Sequence, residues 1–138
     1  MRGPLKPAVS ADRVRVALFE ARPAGLTSRQ LVAATDLSVS QLRRGLAELG
    51  DIAAAEGLPP LIWTPADGYQ FCGDLLELEA YERALFRRKL TEIGRLITGT
   101  IAPHASLHPD DEWVRLVLAQ LNGVRAALDI LVTAHRGR

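Results

Sequence analysis

Arg43 and Arg44 follow Ser40 in a segment whose apolar residues Leu42, Leu46 and Leu49 recur at helical spacing. On such a helix the apolar stripe turns inward and leaves Ser40, Arg43, Arg44 and Ala47 facing outward. A guanidinium is a planar fork of donors that can pair with a phosphate or grip guanine O6 and N7 for about 1–3 kcal/mol of discrimination. A serine hydroxyl can accept from or donate to several bases. Ser28 and Arg29 open an earlier helix, where free amides and the helix dipole favour an anion. This is the chemistry of anion and base recognition.

Two six-residue stretches position these side chains: Leu26-Thr27-Ser28-Arg29-Gln30-Leu31 and Leu37-Ser38-Val39-Ser40-Gln41-Leu42. In each, the N-cap hydroxyl of Thr27 or Ser38 can accept from the N3 amide, while Gln30 or Gln41 reaches back to the cap's own N–H. Both read as capping boxes. Leu26 with Leu31, and Leu37 with Leu42, occupy the positions of a hydrophobic staple that fixes how the chain enters each helix. The first of these helices ends near Thr35 or Asp36, so only Leu37 separates it from the next cap. That spacing predicts a helix-turn-helix corner.

Residues 1–9 read as a flexible arm, and Ser10 as the cap of a helix with Val14, Ala17, Leu18 and Ala21 on one face, ended by Pro23 and Gly25. The helix from Val39 runs to about Ala55, before Gly57, Pro59 and Pro60. Leu61-Ile62-Trp63-Thr64 and Tyr69-Gln70-Phe71-Cys72 are rich in β-formers and flank the turn Pro65-Ala66-Asp67-Gly68, which predicts a hairpin with Trp63, Tyr69 and Phe71 in the core.

Two long amphipathic helices follow, over residues 74–101 and 110–135. Val114, Val117, Leu121, Val124, Leu128 and Leu131 form an unbroken heptad seam, and Phe86, Leu90, Ile93, Ile97 and Ile101 the matching stripe. Ala102 to His108 is then the loop that folds them antiparallel. Pro109 at the first helical position, with Asp110, Asp111 and Glu112 in the first turn, marks the restart. Gly94 and Gly99 suggest close backbone approach, against Gly123 and Ala127. Apolar residues remain that an isolated hairpin cannot bury, so a homodimer is expected. Its interface draws on Leu78, Tyr81, Leu85, Trp113, Val117, Leu121, Val124 and Leu128.

The balance of 17 basic and 16 acidic residues gives a net charge of +1, and the halves 1–73 and 74–138 carry 8 against 7 and 9 against 9, so any basic surface must come from folding. Fifteen of the basic residues are Arg and only Lys6 and Lys89 are Lys, a bias that fits a GC-rich genome. A lone Cys72 suits a reducing cytoplasm, and no stretch approaches the ~18 apolar residues of a membrane span or the core of a signal peptide. His104, His108 and His135 lack the tight spacing of a zinc site. Asp110-Asp111-Glu112 complements a helix dipole. No phosphate loop, nucleophile elbow or His-Glu metal motif is present, so neither an enzyme, a metal nor a cofactor is expected.

Residues 10–73 resemble the winged helix-turn-helix transcription regulators, through the two capped stretches, the run Leu42-Arg43-Arg44-Gly45-Leu46 and the Gly68-Tyr69 wing. More of the chain is similar to the RacP-like proteins of actinomycetes, through Ala80-Tyr81-Glu82-Arg83-Ala84, the run from Leu96 to Ala105, and Pro109-Asp110-Asp111-Glu112-Trp113. The first resemblance implies a winged domain over 10–73; with the helical dimerisation hairpin read over 74–138, the expected fold is mainly α with a small β-hairpin. It also implies that the helix from Val39 enters the major groove of double-stranded DNA. Ser28, Arg29, Ser38, Val39, Ser40, Arg43 and Arg44 are then the DNA-binding residues. The wing residues Thr64, Pro65, Ala66 and Asp67 carry no cation, so the wing braces the domain, and Arg2 with Lys6 can substitute for it on DNA. Asp36 stands where many such motifs have Gly, a position an aspartate can fill in the left-handed conformation. The alternative expectation is a winged protein-interaction module in replication or segregation machinery.

Overall fold

Helix α1 (Pro7–Ala21) begins three residues before the cap expected at Ser10, which places residues 7–9 of the expected arm in a helix. Proline suits a first turn, because its missing N–H would have had no partner there and its φ is already helical. Lys6 takes the N-cap position without a side-chain bond. Ser10 is instead buried where α3 (Val39–Glu56) crosses α1, and a Cβ on Gly45 would lie 3.0 Å from it. The computed structural model describes residues 4–134, so Arg2 and His135 lie outside the described residues.

The described residues are mainly helical, with one two-stranded antiparallel sheet. Two compact units divide the chain, Met1–Leu78 and Glu79–Arg138. In the first, Ala11, Val14, Ala17 and Leu18 of α1 meet Leu31 of α2 (Ser28–Thr35), Leu37 of the corner, and Leu42 and Leu49 of α3. Each fully buried leucine contributes about 1.5–3 kcal/mol of transfer free energy. Leu26 and Leu46, which are partly buried, pack against this cluster.

Strands β1 (Leu61–Thr64) and β2 (Gly68–Phe71) pair with Leu61 opposite Phe71 and Thr64 opposite Gly68. The second strand therefore starts one residue before the expected Tyr69 and leaves Cys72 beyond its end. Leu26 adds a rung on the other side of β2, with its N–H donating to Tyr69 at 2.9 Å and its carbonyl accepting from Tyr69 at 2.7 Å. No period or turn signal in the sequence announces this bridge. Gly68 makes it possible: its φ of 73° is left-handed, and a Cβ there would sit 2.5 Å from the Leu26 carbonyl oxygen. Gly25 is equally constrained, since a Cβ would run into the Asp67 carbonyl. Phe71 stacks on Phe19 at 5.1 Å and packs with Tyr69 on the core. Trp63 does not, and is 43% exposed. Strand alternation turns Ile62 inward, so its neighbour must face out.

In the second unit, the expected loop from Ala102 to His108 is helical almost throughout. Helix α4 (Leu75–Leu96) continues into a π-helical turn (Ile97–Ile101) and then α5 (Ala102–Leu107). Pro103 would ordinarily break a helix, because proline lacks the N–H and crowds the carbonyl four residues back. The π-turn directly before it, with the Ala102 N–H bonded to the Ile97 carbonyl, is the local widening that accompanies its passage. The chain reverses over His108 to Asp111, where the Asp111 N–H donates to His108 at 3.0 Å. Asp111, not Pro109, begins α6 (Glu112–Thr133), its carboxylate accepting from the Trp113 N–H at 3.0 Å.

The π-turn and α5 pack on α6, burying Ile97 and Val114. At the other end Arg83 donates to the carbonyls of Leu131 at 3.2 Å and Val132 at 3.0 Å, a cation on the negative end of α6. The helices of this unit are therefore antiparallel. The heptad seam is only partly inward: Val117, Leu121 and Leu128 are half-buried, whereas Val124 and Leu131 are exposed. A straight helix of 3.6 residues per turn drifts about 20° per heptad from a strict seam, and this rotates the later positions outward. Gly94, Gly99 and Gly123 have nothing within 4 Å of a built Cβ, so the expected close backbone approach is absent. Among the described residues α6 is also long and apolar enough, by length and composition, to cross a membrane, with mean hydropathy 1.4. That corrects the expectation that no stretch comes near one, although Gln120, Asn122, Arg125 and Asp129 interrupt it.

Candidate nucleic-acid interface

Both capping boxes form. Thr27 accepts from the Gln30 N–H at 3.2 Å and Gln30 accepts from the Thr27 N–H at 2.8 Å. Ser38 accepts from the Gln41 N–H at 3.1 Å, and the Gln41 carbonyl accepts in return at 2.9 Å. Between them α2 ends on Asp36, left-handed at φ 57°, with its N–H on the Val32 carbonyl at 3.0 Å. The Thr35 hydroxyl donates to Leu31 at 2.6 Å and accepts from the Leu37 N–H at 3.4 Å, so the buried corner leaves no polar side chain unpaired. Leu31, Leu37 and Leu42 are buried beneath it and Leu26 is half-buried. The orientation of α3 is thereby fixed by caps at its start and by leucines under its first two turns.

On the outer side Ser28, Arg29, Ser38, Val39, Ser40, Arg43 and Arg44 are all exposed. Four of them, Ser28, Arg29, Val39 and Arg43, line one shallow groove of about 530 Å³ with Val32, Leu42, Leu46 and Tyr69. Ser40 and Arg44 stand outside that groove on α3, and Ser38 has its oxygen engaged in the cap. Among the described residues no carboxylate lies within salt-bridge distance of Arg29, Arg43 or Arg44. Their guanidiniums are available to an anion. The groove is floored by apolar atoms and rimmed by two cations and a hydroxyl, a surface that can meet a phosphate at its edge and an apolar group at its centre.

No family model, curated protein or solved structure matches this chain. The site therefore rests on its own geometry.

Thr64, Pro65, Ala66 and Asp67, expected to form a wing, do not line the groove. Thr64 is half-buried and its hydroxyl accepts from the Asp67 N–H at 3.1 Å, closing the turn. Tyr69 and Val32 are the lining residues that sequence reasoning missed. Tyr69 reaches the groove because β2 is held against Leu26, and paired glycines at 25 and 68 were the only trace of that contact in the sequence.

Other reactive side chains lie elsewhere. Cys72 is buried, its thiol donating to Glu77 at 3.4 Å. Burial pushes that thiol above its ordinary value, aided by the Glu77 carboxylate, which keeps it protonated and unreactive. His104 lies 3.2 Å from the Asp111 carboxylate and edge-on to His108 at 5.8 Å, a contact that braces the reversal before α6. Among the described residues no cluster of His, Cys, Asp and Glu could hold a metal ion.

Proposed function

We propose that the first unit is a winged helix-turn-helix and that the protein is a sequence-specific double-stranded DNA-binding regulator acting as a homodimer. One observation carries this reading. Arg43 and Arg44 stand exposed, without an acidic partner among the described residues, on a helix whose direction is set by its own capping box and by a second box eleven residues earlier. In this reading α3 lies in the major groove, Arg43 reads a base edge, and Arg44, Ser28 and Arg29 hold phosphates. Val39, 58% exposed on the first turn of α3, supplies an apolar contact of the kind a thymine methyl accepts. Two copies related by a two-fold axis would read an inverted repeat whose half-sites lie about 10 base pairs apart, or a multiple of that.

The neutral wing and the exposed Trp63 favour a second reading, a winged module that recruits a protein in replication or segregation machinery. Selecting bound duplexes from a random pool with the purified chain separates the two. Enrichment of an inverted repeat supports the DNA reading. A pool that stays random, with no duplex retained at low salt, supports the protein module.

A further inference from the structure

The outer face of α6 carries a second heptad pattern, formed by Trp113, Leu116, Gln120, Gly123, Ala127 and Ile130, and all six are exposed. The large members are bare: Trp113 is 67%, Leu116 55% and Ile130 66% exposed. Beside them Val124 and Leu131 are exposed too, and no charged residue interrupts the strip, which spans about 26 Å at the helical rise of 1.5 Å per residue. A strip of this length without charge on a helix surface needs cover.

Its volumes say which cover fits. Bulk is concentrated at the ends and the middle is small, with Gly123 and Ala127 open to solvent and nothing within 4 Å of a Cβ built on Gly123. A parallel second copy would stack Trp113 on Trp113 and Gly123 on Gly123, wedging one layer apart and leaving a void in another. An antiparallel copy pairs the layers differently. Trp113 then meets Ile130, Leu116 meets Ala127, and Gln120 meets Gly123, each twice across a two-fold axis.

We propose that the outer face of α6 binds the same face of a second copy, antiparallel, with its two-fold axis between Leu121 and Asn122. This rests on the homodimer half of the function proposed above and specifies the surface that makes it. It replaces the earlier interface in part. Val117, Leu121 and Leu128 are half-buried within the unit, whereas Trp113 and Val124 remain on the pairing side.

The test uses the full chain in a Cys72→Ala background. A Leu116→Cys copy mixed with an Ala127→Cys copy should form a disulfide dimer under mild oxidation, while the Leu116→Cys copy alone should not. Separately, Leu116→Glu and Ile130→Glu, with the wild-type helical circular dichroism retained, should raise the dimer dissociation constant in sedimentation equilibrium by about 100-fold or more. Self-linking through position 116 would overturn the antiparallel pairing. A wild-type monomer, dimers unaffected by both glutamates, or a monomer that co-sediments with phosphatidylcholine vesicles through this face would overturn the proposal altogether. Duplex binding is read on the same preparations. A correctly cross-linked dimer that binds no DNA contradicts only the DNA reading, whereas a DNA-binding monomer contradicts the pairing and the homodimer it rests on and leaves DNA recognition standing.

Discussion

Ser38 does two things at once, capping α3 through its oxygen while its exposed hydroxyl stands beside the candidate recognition surface. Ser38→Ala should therefore cost about 1 kcal/mol of stability in urea unfolding, because one N-terminal amide of α3 loses its acceptor. Ser38→Asp should retain the cap and, on the DNA reading, weaken duplex binding by charge. Cys72 gives a pH test. Burial raises its thiol pKa above the ordinary 9.0, so the folded chain holds this proton longer than the unfolded one. Its contribution to stability is complete below pH 9.0 and is lost as pH rises toward the raised folded value. Melting temperature should fall over that alkaline window, and Cys72→Ala should remove that part of the fall. At this scale the sequence was most informative where one residue's chemistry is local. The caps and Asp36 needed no knowledge of distant neighbours, whereas the burial of Ser10 depends on Gly45, 35 positions away, and could not be read from either residue alone.

Elements were legible where period and punctuation agreed, as in α2 and α3, whose starts fall at their caps and where α3 ends on a left-handed Gly57. They were misread where a residue's usual effect was absorbed by its surroundings. Pro103 ought to end a helix, yet the π-turn before it carries the chain on to Leu107, and no sequence period announces such a turn. The Leu26 bridge was hidden for another reason: one residue of strand has no alternation to detect. Its dependence on Gly68 can be measured. Gly68→Ala should destabilise the first unit by about 2 kcal/mol or more in denaturant unfolding, since it combines a left-handed φ with a collision at the Leu26 carbonyl. Gly73→Ala, with open space around its Cβ, should change stability by less than about 0.5 kcal/mol.

For the whole molecule, a chain with net charge of only +1 can bind a polyanion only if folding gathers its cations. The first unit does this on a small scale, bringing Arg29 of α2 and Arg43 of α3 to one groove while Arg44 stands free beside it. On the proposed pairing, the second unit would present that small site twice, and the doubling would raise a weak half-site contact to a specific one. The sequence showed the outward arginines of α3 and an inner heptad seam on α6, but which side of α6 remained open became apparent only once the helix drift and the packing of the π-turn were in place. Everything above turns on Arg43 and Arg44 reading DNA. Fluorescence polarisation of the selected duplex, titrated with wild type and with Arg43→Ala/Arg44→Ala at several salt concentrations, tests it most directly. The wild type should prefer that duplex over random sequence by about 10³-fold or more, with affinity falling steeply as salt rises. The double variant should lose the preference and flatten the log–log salt slope by about 2, while its helicity and its dimer stay intact. Equal affinity and equal slope for the two proteins would contradict the claim.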